Sequence, residues 1–173
     1  MSTTKWTIDP SHSEVGFSVK HMMFTKVTGT FDAVNATVEA EDGFKNVVID
    51  ATIDTASVNT RNEQRDGHLK SGDFFDVENH PQITFKAELP ELKSGKIEGE
   101  FSLHGVTKRI PLDIEFHGEG KDPWGNEKAG FTITGKINRT DYGLNWNAAL
   151  ETGGVLVSEE VKLFAEIQLI KEA

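Results

Sequence analysis

Apolar and polar residues alternate along most of this 173-residue chain, and that period of two constrains its fold more than any other feature. Val15, Phe17 and Val19 share one face, as do Val47, Ile49, Ala51 and Ile53. The pattern returns at Ile83, Phe85, Ala87 and Leu89, and again at Ile97, Gly99, Phe101 and Leu103. It continues through Ile110, Leu112, Ile114 and Phe116, then Phe131, Ile133, Gly135 and Ile137, and ends with Val161, Leu163, Ala165, Ile167 and Leu169. Successive side chains of a strand point to opposite faces, so these segments read as antiparallel strands, apolar on one side and wetted on the other. Between Phe31 and Val34 the phase slips by one residue, which places a bulge in a long, bent second strand. Turn signals stand at Asp42-Gly43, Ser94-Gly95, His104-Gly105, Asp122 to Asn126 and Gly153-Gly154.

About eight strands with one apolar face each must close on themselves or stack as two sheets. Two features favour a closed, hollow barrel. Gly99 and Gly135 fall at inward positions, where a packed core would want volume, although a glycine there can also mark a bend at a barrel corner. His21 is in phase with Val15, Phe17 and Val19, which points a polar ring inward. The expected architecture is all-β with one short helix, an eight-stranded antiparallel barrel with an elongated apolar cavity, in a single domain over residues 1–173.

The helix is expected in the one long connection, from Asn59 to Pro81. Thr60 and Glu63 match the Ser/Thr-x-x-Glu capping box, and Gly72 is placed to end the helix in the left-handed conformation. Arg61, Arg65, His68 and Leu69 follow helical spacing and share a face. This basic, titratable face leads into Phe74 and Phe75 and reads as the rim of a pocket.

Composition removes several function classes. Asp and Glu number 28 against 18 Lys and Arg, a net charge of −10, which is the wrong sign for general nucleic-acid binding or for docking on an anionic membrane. No cysteine is present, so disulfides, thiolate catalysis and cysteine metal sites are ruled out. His12, His21, His68, His80, His104 and His117 never fall at a short ligand spacing such as His-x₃-His, and no metal is expected. No serine stands in a strand–turn–helix elbow, and no catalytic residue is assigned. No apolar run reaches the ~20 residues of a membrane span. With 11 Phe against one Tyr, the aromatic set needs few hydrogen-bond partners and suits either a packed core or a wall facing something apolar.

Several stretches together resemble the YceI-like family. They are Ile8-Asp9-Pro10-Ser11-His12-Ser13, then Phe17, Val19 and His21, then Val27-x-Gly29-x-Phe31. The long central motif runs Arg65-Asp66-x-His68-Leu69-x-Ser71-x-Asp73-Phe74-Phe75-Asp76-Val77, followed by Pro81, Ile83 and Phe85. Leu103-His104-Gly105-Val106-Thr107-Lys108, Asp141-Tyr142-Gly143-Leu144 and Glu160-Val161 complete it. The Gly-x-Trp of ordinary lipocalins is absent, so the likeness to lipocalins is architectural. Many family members carry a secretion signal and work in the periplasm. This chain starts directly at the barrel, so the cytoplasm is expected, or the periplasm or exterior if a signal has been removed.

The resemblance implies a bound polyisoprenoid or similar long-chain lipid, such as an isoprenoid quinone or a prenyl phosphate, held for carriage, storage or stress protection. No cofactor beyond that ligand is expected. The tail would contact Phe17, Val19, Phe31, Ile53, Phe75, Phe85, Phe101, Phe131 and Ile133, and the polar end His21, Arg65 and His68. Phe164 falls out of phase on the last strand, and a homodimer is expected there. Two alternatives stay open: an enzyme acting on a hydrophobic substrate, and a filled barrel that serves as a protein-interaction module.

Overall fold

The computed structural model describes residues 3–22, 24–147 and 157–172. The strands are β1 (Thr4–Ile8), β2 (Glu14–His21), β3 (Thr25–Phe31), β4 (Val34–Glu41), β5 (Lys45–Asp54), β6 (Val58–Asn59), β7 (Gln82–Glu91), β8 (Gly95–Leu103), β9 (Val106–Lys121), β10 (Glu127–Asn138) and β11 (Glu160–Lys171). One α-helix, α1 (Glu63–Lys70), lies in the connection between β6 and β7. The sheet order is β1-β4-β5-β7-β8-β9-β10-β11, and β1 pairs back onto β11, which closes the cycle as an eight-stranded antiparallel barrel.

Two staves of the barrel are bent strands. β11 pairs through Leu169–Lys171 with β1 and through Lys162–Glu166 with β2, so β1 and β2 lie end to end along one neighbour. Between them Asp9 accepts the Ser11 backbone N–H at 3.2 Å and its hydroxyl at 2.8 Å. Likewise β1 pairs with β4 and β2 with β3, and the break between β3 and β4 falls at Asp32-Ala33, where the alternation slips. The expected turns 42–43, 94–95, 104–105 and 122–126 all join neighbouring strands. His104 and Gly105 both have positive φ, 54° and 76°, as a two-residue hairpin turn requires. Gly153-Gly154 lies outside the described residues.

A meander of this kind has two ends. The turns 42–44, 92–94 and 122–126 share the lower one. The connections 55–81 and 104–105 share the upper one with the described parts of the β2–β3 and β10–β11 connections. The inward glycines do not leave empty space. A Cβ at Gly99 would meet the Phe85 ring at 2.4 Å, and one at Gly135 would meet Leu112 at 2.5 Å. These glycines are seats over which a neighbouring strand folds its own side chain. Phe164 is half-buried, because its ring lies across its cross-strand partner Gly16 in the same way.

Candidate functional site: an apolar cavity with a polar mouth

The inward faces of the staves enclose a cavity of about 670 Å³. That is ample for a small-molecule site, which typically spans about 300–1,000 Å³. Phe17, Phe31 and Phe75 form an edge-packed trio on its wall, with ring centroids 5.6, 6.2 and 5.7 Å apart. Phe85, Phe101 and Phe131 add rings from β7, β8 and β10, and Val19, Ile53 and Ile133 fill between them. The structure thus gathers every apolar candidate around one space. Phe75 reaches that wall because the chain after α1 folds back. The N–H groups of Phe75 and Val77 donate to the carbonyls of Leu69 and Lys70 at 2.9 and 3.1 Å.

Polar groups enter the wall at the upper end. His21, at the end of β2, lines the cavity, as its phase requires. Arg65, His68 and Leu69 line it from α1, whereas Arg61 lies before the helix at φ 63° and is exposed. The helix is not started by Thr60. Asn62 is the cap, its side chain accepting the Arg65 backbone N–H at 2.9 Å. Thr60 instead donates its N–H and hydroxyl to Asp66, at 2.8 and 2.6 Å, and accepts from Arg65 Nε at 2.8 Å. The helix ends at Ser71 in extended geometry, and Gly72 is not left-handed. The amides of residues 75–77 satisfy the late carbonyls, so no left-handed glycine is required.

These bonds occupy part of the expected end-group machinery. Arg65 directs Nε and one Nη2 N–H at Thr60, the latter reaching the Thr60 carbonyl at 2.8 Å, which leaves its Nη1 edge for another acceptor. His68 Nε2 lies 2.9 Å from the Asp73 carboxylate and donates to it. Arg65 makes no ion pair with Asp73 or Asp76. His21 makes no side-chain hydrogen bond among the described residues.

Two further residues complete the mouth. Arg139 is only 3% exposed, and its guanidinium donates to the backbone carbonyls of Ser158, Leu144, Trp146 and Val157 at 2.8, 2.6, 2.9 and 3.3 Å. Burial pushes this guanidinium below its ordinary pKa, and the charge of Glu159 offsets part of that. By holding the Trp146 carbonyl, Arg139 sets the indole against the His68 ring at 4.7 Å and the Phe74 ring at 5.3 Å. Arg139 follows Phe131, Ile133, Gly135 and Ile137 in phase, so a charge at an inward position was a readable signal. Trp146 carried none.

Ser, His and Asp side chains also meet at the turn between β1 and β2. His12 Nδ1 lies 2.7 Å from Asp9 and 3.2 Å from Ser11 Oγ, while Ser11 donates to Asp9 and Lys128 Nζ sits 2.8 Å from the same carboxylate. One imidazole nitrogen faces both partners, and the serine proton rests on the acid, so this group is wired as a turn clamp. The Lys128 ammonium, and with lesser weight His12 and Ser11, hold the Asp9 carboxyl far below the usual carboxylate range despite its burial.

Comparison with known proteins agrees with this architecture. A UPF0312 protein of Staphylococcus aureus strain N315 is 42% identical over 167 residues, covering 95% of this chain and 96% of its own. The crystal structure of the Campylobacter jejuni YCEI protein superposes with a TM-score of 0.75 at 32% identity, covering 95% of this chain and 96% of that one. A polyisoprenoid binding domain from Saccharophagus degradans shares the fold, with a TM-score of 0.68 at 16% identity over 96% of this chain and 98% of that one. The YceI-like domain model matches residues 6–169, and the chain belongs to the YceI-like family.

Proposed function

We propose that the protein binds a long-chain lipid, a polyisoprenoid such as an isoprenoid quinone or a prenyl phosphate, inside the barrel for carriage or storage. The observation that carries this reading is the asymmetry of the cavity, with aliphatic and phenyl groups along its length and His21, Arg65 and His68 at one end. At about 30 Å³ per carbon-sized group, the share of one water in the liquid, a cavity of about 670 Å³ houses on the order of 20 carbons, or four isoprene units. Removing ~20 such groups from water, at ~0.8 kcal/mol each, yields a gross gain of about 16 kcal/mol. That exceeds the ~4–15 kcal/mol cost of association, so affinity needs few polar contacts.

The polar residues then select the end group. The Nη1 edge of Arg65 and the ring of His21 are donors for a quinone carbonyl or a phosphate oxygen. The S. degradans domain, named for polyisoprenoid binding and built on the same barrel, supports the ligand class. Organic extraction of purified protein followed by mass spectrometry is expected to release one long-chain lipid per chain. A clean extract, together with no uptake of added quinones or prenyl phosphates, removes the proposal.

A further inference from the structure

The fold brings together three side chains that the lipid site does not use. Asp76 and His80 lie in the connection before β7, His104 lies in the β8–β9 turn, and their ligand atoms all fall within 4.8 Å of one another. We propose that Asp76, His80 and His104 bind a borderline divalent transition-metal ion of the zinc class. Spacing along the chain could not reveal the site, because its two histidines come from different connections and meet only where those connections share the upper end of the barrel.

The geometry prepares each donor. His104 Nδ1 lies 3.0 Å from the carbonyl oxygen of Tyr142, a residue 1% exposed. A carbonyl only accepts, so Nδ1 carries the proton and the Nε2 lone pair is left available to a metal. This is the arrangement that metal-bound histidines commonly use, with the second nitrogen oriented by a backbone carbonyl. The His80 ring stands 4.6 Å from that of His104, and its side chain makes no hydrogen bond among the described residues. Glycine at position 105 permits that approach, since a Cβ there would come within 2.9 Å of the His80 ring.

The Asp76 carboxylate is steered by Asn79 Nδ2 at 3.2 and 3.0 Å and has no ion pair among the described residues. His80 N–H donates to the Asp76 carbonyl at 2.8 Å, which fixes the two ligands on one tight turn. All three residues are half-buried, so the site is open to solvent without being fully hydrated.

Two imidazole nitrogens and one carboxylate oxygen suit zinc and its neighbours better than magnesium or calcium, which prefer all-oxygen shells. Zinc bonds of ~2.0–2.1 Å put tetrahedral ligands roughly 3.3 Å apart, a contraction that side-chain rotation supplies. Water would take the fourth position. The ion would tie the segment carrying Phe74 and Phe75 to the β8–β9 turn and, through the Tyr142 carbonyl, to residues 139–142. The inference stands independently of lipid binding.

The test is zinc titration of the tag-free, metal-stripped chain by calorimetry, with cobalt(II) absorption as a second readout of coordination. One zinc per chain is expected, with a raised melting temperature and a four- or five-coordinate cobalt spectrum. His80→Gln and His104→Asn are each expected to weaken binding roughly tenfold or more. Their melting temperatures in EDTA should stay near that of the parent, and His12→Gln should bind zinc normally. The proposal is overturned by a wild-type chain that takes up no zinc at 100-micromolar concentrations (~10⁻⁴ M), or by zinc binding that survives both His80→Gln and His104→Asn.

Discussion

At the lower end of the barrel Trp6, Phe44, Phe116 and Phe131 pack ring against ring, with centroids 5.1, 5.7, 5.8 and 4.9 Å apart. At the upper end Phe74 and Trp146 close on His68, at 5.0 and 4.7 Å. The rings are similar, but their anchorage differs. Phe44 is 4% exposed, enters the barrel from a tight turn at φ 55°, and accepts the Leu92 N–H through its carbonyl at 2.9 Å. The mouth rests on α1, which buries none of its residues fully, and on a loop held by hydrogen bonds from Arg139 and by the pairing of Asn147 with Val157. A plug secured by apolar burial stays shut. A clasp secured by polar bonds at a wetted rim opens at lower cost. The comparison points to the upper end as the route by which a bound guest would enter and leave.

The strongest way to break the contrast is at the floor. Phe44→Ala is expected to cost about 3–5 kcal/mol, since it removes a buried ring whose aromatic neighbours cannot collapse inward. Urea unfolding measures it, and a loss below about 1 kcal/mol would mean the floor is not the anchor described here. At the mouth the largest effect should come from Arg139→Met. Its loss leaves the carbonyls of Leu144, Trp146 and Ser158 short of a donor, while that of Val157 keeps Asn147 Nδ2 at 2.7 Å, and should cost about 2–4 kcal/mol. Arg139→Lys should recover only part of this, because one ammonium cannot span four carbonyls in a plane. Equal stability of the lysine variant and the parent would show that charge, and not the planar fork, does the holding.

What the sequence made legible follows from how far each contact reaches. Alternation identified the staves, the inward direction of His21 and the irregularity at Asp32-Ala33, expected as a bulge and found as a break between β3 and β4, because a strand's facing depends only on its own residues. The presence of α1 was legible and its cap was not. Asn62 and Thr60 are both good caps. The choice between them turns on Arg61 taking φ 63°, after which Thr60 binds Asp66 and Arg65. The inward glycines were misread, because alternation gives a direction and says nothing of which neighbour fills the space, here Phe85 and Leu112. The Trp146 clasp and the pairing of His80 with His104 join residues far apart in the chain, and no local pattern encodes them.

A smaller effect sharpens the comparison from the outside of the barrel. Asp9 and Lys128 pair at 2.8 Å, with side chains 8% and 19% exposed. Each favours the charged form of the other, so the Asp9 pKa is lowered and that of Lys128 raised. The lowered Asp9 pKa means that its stabilisation is complete above the ordinary aspartate value of ~3.9 and drains away as pH falls from there to the folded value. For Lys128 the stabilisation is complete below ~10.4 and is lost as pH rises through its raised folded value. Asp9→Asn should therefore cost about 1–2 kcal/mol at neutral pH, with Asp122 at 3.7 Å left as a weaker partner for Lys128. The gap in melting temperature between parent and variant should narrow in strong acid. A gap that stays constant from pH 7 to pH 2 (roughly two pH units below the reference value) would remove the ion pair from the account.

The smallest expected effect on stability is the most telling for the mouth. Trp146 is half-buried, and its indole packs against the His68 and Phe74 rings, which are themselves partly exposed. Trp146→Ala should cost about 1 kcal/mol, within the range of a lost aromatic pair at a rim. If lipid leaves through this end, the same ~1 kcal/mol comes off the barrier to release, because the clasp must part before the guest can pass. Transfer of a bound prenyl lipid to acceptor vesicles should then run roughly fivefold faster, at 1.4 kcal/mol per decade. Phe44→Ala, far more damaging to stability, should speed transfer only as far as it unfolds the barrel. Should Trp146→Ala leave the transfer rate unchanged while Phe44→Ala raises it in still-folded protein, the exit lies at the floor and the roles of the two ends are reversed.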